Sequence, residues 1–315
     1  MMAKNSGELS IIRYIRQRFP RRNDEILKGI GDDAMVFRNG FVATTDSFFE
    51  NIHFDLGYFS MKTLGQHIMA ASLSDIAAMG AQPICALISL NLTEKNTFKD
   101  IQDLYHGFEI MCKRYAFDIS GGDIVQSPGF GVTITVIGKN ASPILRSGAK
   151  PGQSLYVTNF LGLAEVGRAV LCEKLSRKQY PFAVDKHLCP EPRIEEAGLL
   201  RKYARACIDI SDGLSTDADH LAFESKVKVV IEAEHIPIHS EVGEFCAMKG
   251  IEPLDFILSS GEDFELLFTA RHLPKHFRVK VFRIGRILQG HGLFISFRGK
   301  LKRIKPTGYE HLKGI

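Results

Sequence analysis

Carboxylates recur beside Gly, Ser or Thr at five places in the 315-residue chain: Gly31-Asp32-Asp33, Thr44-Thr45-Asp46, Leu73-Ser74-Asp75, Gly121-Gly122-Asp123 and Asp209-Ile210-Ser211-Asp212-Gly213. Oxygen donors of this kind hold hard divalent cations and, through them, phosphates. Each stretch falls at the end of an expected strand or within an expected helix, so distance along the chain does not keep them apart in space. Carboxylates gathered in one cleft repel one another unless cations lie between them. Magnesium and a nucleotide complete such a site.

The motifs differ in weight. Gly29-Ile30-Gly31-Asp32-Asp33-Ala34 fits the loose dinucleotide pattern G-x-G-x-x-A. However, Asp32 and Asp33 would repel a pyrophosphate, and Glu25 to Lys28 is a poor preceding strand. A cation between those carboxylates and a phosphate reverses the sign; an Asp-rich turn is the plain alternative. Thr44-Thr45-Asp46 also reads as an ordinary strand terminus. Asp75 says more, because a carboxylate inside so apolar a helix either faces a cleft or needs a partner.

Gly121-Gly122-Asp123 gives the backbone freedom to approach a ligand closely, or simply turns. Ser211 and Asp212 suit a helix cap whose free amides meet a phosphate, and a cap alone leaves Asp209 unexplained. Ser260-Gly261-Glu262-Asp263-Phe264-Glu265 reads by default as a solvated acidic turn, and His53 as a lone surface or core histidine. The chain contains no G-x-x-x-x-G-K-[ST], no H-E-x-x-H and no protein-kinase motif set.

The elements that must present these groups follow from periodicity. An amphipathic helix is expected over Glu8 to Phe19, a strand over Phe41 to Thr45, and a largely buried helix over Lys62 to Met79 that stops at Gly80. Strands are expected at Ile84 to Leu92, Phe117 to Ser120 and Val132 to Gly138, with a helix at Thr97 to Tyr115. Pro143, Gly148, Pro151 and Gly152 mark a boundary, giving domains 1–140 and 141–315. The second half is expected to hold strands Ser154 to Thr158, Cys207 to Ile210, Val227 to Ala233, Phe264 to Thr269 and Lys280 to Ile287. Its helices are expected at Leu161 to Leu175, Ile194 to Tyr203 and Asp212 to Ser225.

Bulk properties agree with a folded chain of two cores, at 45% hydrophobic and 24% charged residues. A net charge of +4 is too small to imply nucleic-acid binding, and the short basic clusters read as solvated surface. Six scattered cysteines lack zinc spacing and suit a reducing compartment. No signal-like or membrane-length apolar run occurs, so a cytoplasmic protein without membrane partners is expected.

Taken in order, the motifs resemble the thiamine-monophosphate kinases of the aminoimidazole ribonucleotide synthetase superfamily. The likeness rests on Gly29 to Ala34, Thr44 to Asp46 with Glu50, His53 and Phe54, Leu73 to Ala81 with Pro83, and Gly121 to Asp123. It continues through Arg146 to Gly152, Asp209 to Leu214, Gly261 to Leu266, and Gly308-Tyr309. It implies an α+β fold of two domains, an N-terminal sheet pairing across a homodimer, and ATP-dependent phosphorylation of thiamine monophosphate by direct in-line transfer. It implies magnesium at Asp33, Thr44, Thr45, Asp46, Asp75, Asp123, Asp209 and Asp212, with Asp32 a further candidate. ATP would meet Gly122, Asp123, Arg146 and Ser211, and the thiamine phosphate His53, Glu262 and Tyr309. Ser72, Ile124, Ser260 and Phe264 depart from the family wording without removing a carboxylate. Aminoimidazole ribonucleotide synthetase-like activity and a non-catalytic nucleotide binder are the competing readings.

Overall fold

The computed structural model describes residues 7–274 and 276–311. The polar start at 1–6 and the end at Lys313-Gly314-Ile315 lie outside them. The first half runs α1 (Glu8–Arg18), β1 (Ile26–Lys28), β2 (Met35–Phe37), β3 (Phe41–Phe49), α2 (Met61–Ala78), β4 (Gln82–Leu92), α3 (Phe98–Tyr115), β5 (Asp118–Gln126) and β6 (Gly131–Lys139). These strands form one sheet in the order β1-β2-β3-β6-β4-β5.

The second half runs β7 (Ser154–Thr158), α4 (Leu163–Cys172), α5 (Pro181–Leu188), α6 (Ile194–Leu200), β8 (Ala206–Asp209), α7 (Leu214–Ser225) and β9 (Lys228–Glu232). It continues with α8 (Ser240–Lys249), α9 (Pro253–Ser259), β10 (Leu266–Ala270), β11 (Val281–Leu288), β12 (Gly292–Phe297) and β13 (Lys300–Arg303). Its sheet is ordered β13-β12-β9-β11-β7-β10-β8. The α+β expectation holds.

Helix α2 is the axis of the molecule. A capping box of Ser60 and Thr63 starts it, and Gly80, in a left-handed conformation, follows its end. Twelve of its eighteen residues are buried. It is apolar nearly all round because it has protein on every side: α3 and strands β3 and β6 from the first half, and α5, α6 and β8 from the second. Gly65 and Gly107 allow α2 and α3 to touch, since a Cβ on Gly65 would meet the Leu104 carbonyl oxygen at 2.3 Å.

Several local expectations need correcting. β1 is a real strand at Ile26–Lys28, short and irregular, pairing with β2 at Ile26–Phe37 and Lys28–Val36 with a shift of register between them. β3 does not stop at Asp46 but pairs with β6 as far as Phe49, so Thr44 to Asp46 lie in mid-strand. Likewise β5 runs straight through Gly121-Gly122-Asp123. The open backbone of Gly122 serves the neighbouring strand, since a Cβ there would sit 1.7 Å from the Ile88 carbonyl oxygen. α7 begins at Leu214 after Gly213 and is not capped by Ser211; the Asp217 carboxylate takes the amides of Asp212 and Gly213 instead.

The acidic stretch after α9 is not a solvated turn. Asp263 accepts the Gly162 and Ala164 amides at the start of α4, at 2.6 and 3.2 Å. Glu265 is buried between Lys186 (2.6 Å), Arg193 (2.6 and 2.7 Å) and the Thr158 hydroxyl (2.7 Å). Only Glu262 turns outward to the space between the two sheets.

Candidate active site

Three carboxylates from three distant segments come together where α2 passes between the sheets. Asp33 arrives on the turn after β1, Asp75 on the last turn of α2, and Asp209 at the end of β8; one oxygen from each lies within 4.8 Å of the others. Local folding makes this convergence. β3 alternates Val42, Thr44, Asp46 and Phe48 toward the helical side, so Thr44 and Asp46 face α2, and Thr44 Oγ1 donates to Asp75 Oδ2. Ser74, one residue before Asp75, donates to Asp209 Oδ2 at 2.6 Å and ties α2 to the second sheet.

Arg146 closes the far side of the cluster. Its Nη2 donates to Asp33 Oδ1 at 2.9 Å and its backbone amide to Asp32 Oδ1 at 3.0 Å, while Lys28 lies 3.3 Å from Asp32. Burial works against its charge, but Asp33 and Asp32 hold the guanidinium firmly protonated.

The acids show what such crowding does. Burial, then the charge of Asp33, pushes Asp209 up to about 7. Asp75 is raised well above the carboxylate range by burial and by Asp46, Asp209 and Asp33. Burial also lifts Asp46, and brings Asp32 and Asp212 up to about 6. Asp33 Oδ2 and Asp46 Oδ2 are buried without a hydrogen-bond partner. Buried, unsatisfied, mutually repelling oxygens are what a hard divalent cation relieves, so the donor set fits magnesium.

A cavity of about 700 Å³ opens from this cluster. Asp46, Asp75, Asp209, Ser211 and Asp212 line its inner end, and Glu262, His53 and Tyr309 its outer end. His53 stacks edge-on to Phe48 and lies 5.3 Å, ring to ring, from His311, which meets Tyr309 at 4.8 Å. The segment carrying Tyr309 is pinned by its amide to the Asp212 carbonyl at 2.9 Å. Glu262 and Phe264 both have left-handed backbones, with φ of 60 and 48. Such geometry costs about 1 kcal/mol or more per residue. It is imposed by the amide of Glu262 bonding to the Ser211 carbonyl and that of Phe264 to Ile210, both at 2.8 Å.

Residues 31–140 match the family described as AIR synthase related protein, N-terminal domain. The thiamine-monophosphate kinase of Aquifex aeolicus is 33% identical, over 99% of this chain and all of the relative. The chain belongs to the thiamine-monophosphate kinase family. The Rhodopirellula baltica thiamine-monophosphate kinase is also 33% identical, covering 96% of this chain and 97% of its own. A solved AaThiL structure, complexed with AMPPCP and TMP, superposes with a TM-score of 0.90 at 32% identity, covering 99% of both chains.

Not every expected site residue of this thiamine-monophosphate kinase family chain reaches the cavity. Through paired strands, Asp123 is in register with Ser89, Thr133 and Ser47, so it shares the face of Ser47 and Thr45, opposite to Asp46. Three strand spacings, about 14 Å, separate β5 from β3. Asp123 is exposed on that open face, Gly122 lies beside it on the edge strand, and Thr45 reaches the cavity rim from the same face. Of the departures from the family wording, Ser72, Ser260 and Phe264 are buried, whereas Ile124 is exposed on β5.

Sequence reading missed Glu165, Arg168 and His311 in the cavity wall. Glu165 and Arg168 make a bidentate pair at 2.6 and 2.7 Å, three residues apart on α4, and in sequence look like any surface helix pair. His311 carried a faint signal, two residues beyond Tyr309. Asp217 carried none, because an Asp one turn into a helix is ordinary.

Proposed function

We propose that the chain transfers the terminal phosphoryl group of ATP to the phosphate of thiamine monophosphate, giving thiamine diphosphate and ADP, within this cavity. The observation that carries the reading is the meeting of Asp33, Asp75 and Asp209 at the inner end of a cavity whose outer end is aromatic and acidic. Magnesium held by Asp33, Thr44, Thr45, Asp46, Asp75, Asp209 and Asp212 would neutralise phosphate charge and align the transfer. The chain's own groups do the rest. Arg146 and Ser211 hold the ATP phosphates, and His53, Glu262 and Tyr309 hold the thiamine end, where the carboxylate suits a cationic heterocycle and the rings its flat face.

The bond broken joins the terminal phosphorus of ATP to its bridging oxygen; the bond formed joins that phosphorus to an oxygen of the acceptor phosphate. That oxygen is already ionised near neutral pH, so no side chain need remove a proton. Positioning and charge stabilisation are the protein's contribution. Offered ATP with thiamine monophosphate or with formylglycinamidine ribonucleotide, the protein is expected to turn over the first alone. Turnover of the second alone, or ATP binding without product, would reject the kinase reading. A cytoplasmic location fits the six unpaired cysteines.

We further infer that Gly122 and Asp123 complete the site of a second copy. The open face of the first sheet and its edge strand expose Leu87, Ile124 and Val125, a surface that a partner sheet would cover. Asp75→Asn and Asp123→Asn chains should each be inactive alone. Mixed in equal amounts and reassociated, half the dimers carry one intact site, restoring about a quarter of wild-type activity. No recovery on mixing would place both residues in one chain's site or in none.

A further inference from the structure

The support behind Glu262 has a specific construction. His187 on α5 is 1% exposed, and its Nδ1 has no hydrogen-bond partner. That nitrogen faces Glu262 Oε2 at 3.7 Å, just beyond hydrogen-bond length. Across the ring, the Tyr58 hydroxyl lies 3.3 Å from Nε2. The ring itself is fixed: His67 Nδ1 donates to the His187 carbonyl at 2.7 Å, and the Phe59 and His67 rings pack against the imidazole at 5.4 and 5.5 Å.

Burial holds His187 neutral, leaving one N–H and one lone pair on the ring. The Tyr58 hydroxyl is assigned as the donor to Nε2, which puts the proton on Nδ1, on the side of Glu262. The other tautomer would set a lone pair against the carboxylate. Glu262 keeps about a third of its side chain exposed, so a small rotation closes the gap.

We propose that His187 is a positioning residue for Glu262: its Nδ1–H, held in that tautomer by Tyr58, engages Glu262 Oε2 when substrate fills the cavity and aims the carboxylate at the cationic heterocycle. This rests on the placing of Glu262 against the thiamine end. Without the donor, Glu262 samples rotamers that miss the substrate, so the loss falls on substrate affinity before turnover.

The test is steady-state kinetics, with thiamine monophosphate varied, on His187→Leu, His187→Asn, Glu262→Gln and the Leu/Gln double variant. The Asn amide nitrogen occupies the place of Nδ1 and keeps a donor, whereas Leu removes it. His187→Leu should raise KM for thiamine monophosphate about tenfold, the scale of one hydrogen bond to a charged group. His187→Asn should stay within about threefold of wild type, and KM for ATP should not move in either. In the Glu262→Gln background, His187→Leu should add nothing, because the charge that His187 aims at the substrate is gone even though the Gln oxygen can still accept.

An equal increase in both backgrounds, an equal shift in KM for ATP, or no increase at all overturns the proposal. Should His187→Leu fail to fold, Tyr58→Phe run through the same cycle decides by the same criterion. A Glu262→Gln variant with unchanged KM would instead refute the placing of Glu262 on substrate, which separates the two failures.

Discussion

Asp75→Asn is expected to lower turnover by about a thousandfold and, at pH 8 without divalent cations, to raise the melting temperature. The two effects share one cause. Asp75 is raised well above the usual carboxylate range because it is buried among Asp46, Asp209 and Asp33. In the folded chain Asp75 must either repel its neighbours or take up a proton, and Asn does neither, while the Asn oxygen still accepts from Thr44. Relief of this kind is worth about 1–2 kcal/mol. The same charge is the one that the phosphate site cannot lose. Steady-state kinetics and thermal unfolding of one preparation check both halves; a variant that stays active, or one destabilised in the absence of cations, contradicts the account.

Magnesium should stabilise the protein increasingly as pH rises, adding almost nothing to the melting temperature at pH 5 and about 5 °C or more by pH 8 at saturating cation. Folded-state pKa values of about 7 for Asp209 and about 6 for Asp32 and Asp212 all lie above the ordinary value. A raised acid contributes stability that is complete below about pH 4, its unfolded value, and lost as pH climbs through 6 and 7. Above that window the carboxylates are ionised, repel, and are free for a cation; below it, protons compete. Buried His67 and His220, both lowered to about 4 by burial, act in the opposite sense by weakening the acid side. His67, which feels only burial and a backbone carbonyl, contributes equally with and without magnesium, whereas His220 also feels Asp33, so the difference between the two melting curves reports the acidic cluster together with His220. A magnesium increment that does not change between pH 5 and 8 would rule the cluster out as the cation site.

How much of this was legible in the sequence depended on whether the signal was local. The apolar run of α2 announced both a buried helix and an Asp75 that needed a reason, and both were found. The strand ends were misread where a polar residue looked like a terminus. Asp46 is in mid-strand because β3 goes on pairing with β6 as far as Phe49, a tertiary fact invisible to strand propensity. Ser211 as a cap failed for a similar reason, since Asp217 reaches back from within α7 to take the amides. α5 and α9 each open on a proline, Pro181 and Pro253, that reads as a loop marker, and α8 carries Gly243 inside it, so none of the three stood out as a helix. That Asp33, Asp75 and Asp209 could meet was suggested by their residue types and by the resemblance, but no spacing rule relates positions so far apart, and the folded chain is what brings them together. The fates of Glu262, Asp263 and Glu265 were beyond reach for another reason. One turn delivers them to a cavity, a helix start and a buried ion pair, and only the folded partners distinguish these.

The placement of α2 has a consequence for how large molecules enter. Because this helix lies against strands of both sheets and is bonded to the second through Ser74 and Asp209, the halves cannot swing apart like a book without stripping the molecule's spine. The turn bearing His53 and the tail bearing Tyr309 are tied down too, by the bonds of the Asn51 and His53 amides and by those of Thr307, Gly308 and Tyr309 to the start of α7. Two bulky guests therefore have to fit a chamber whose walls are already set, and side-chain rotation at its mouth is the adjustment left to it.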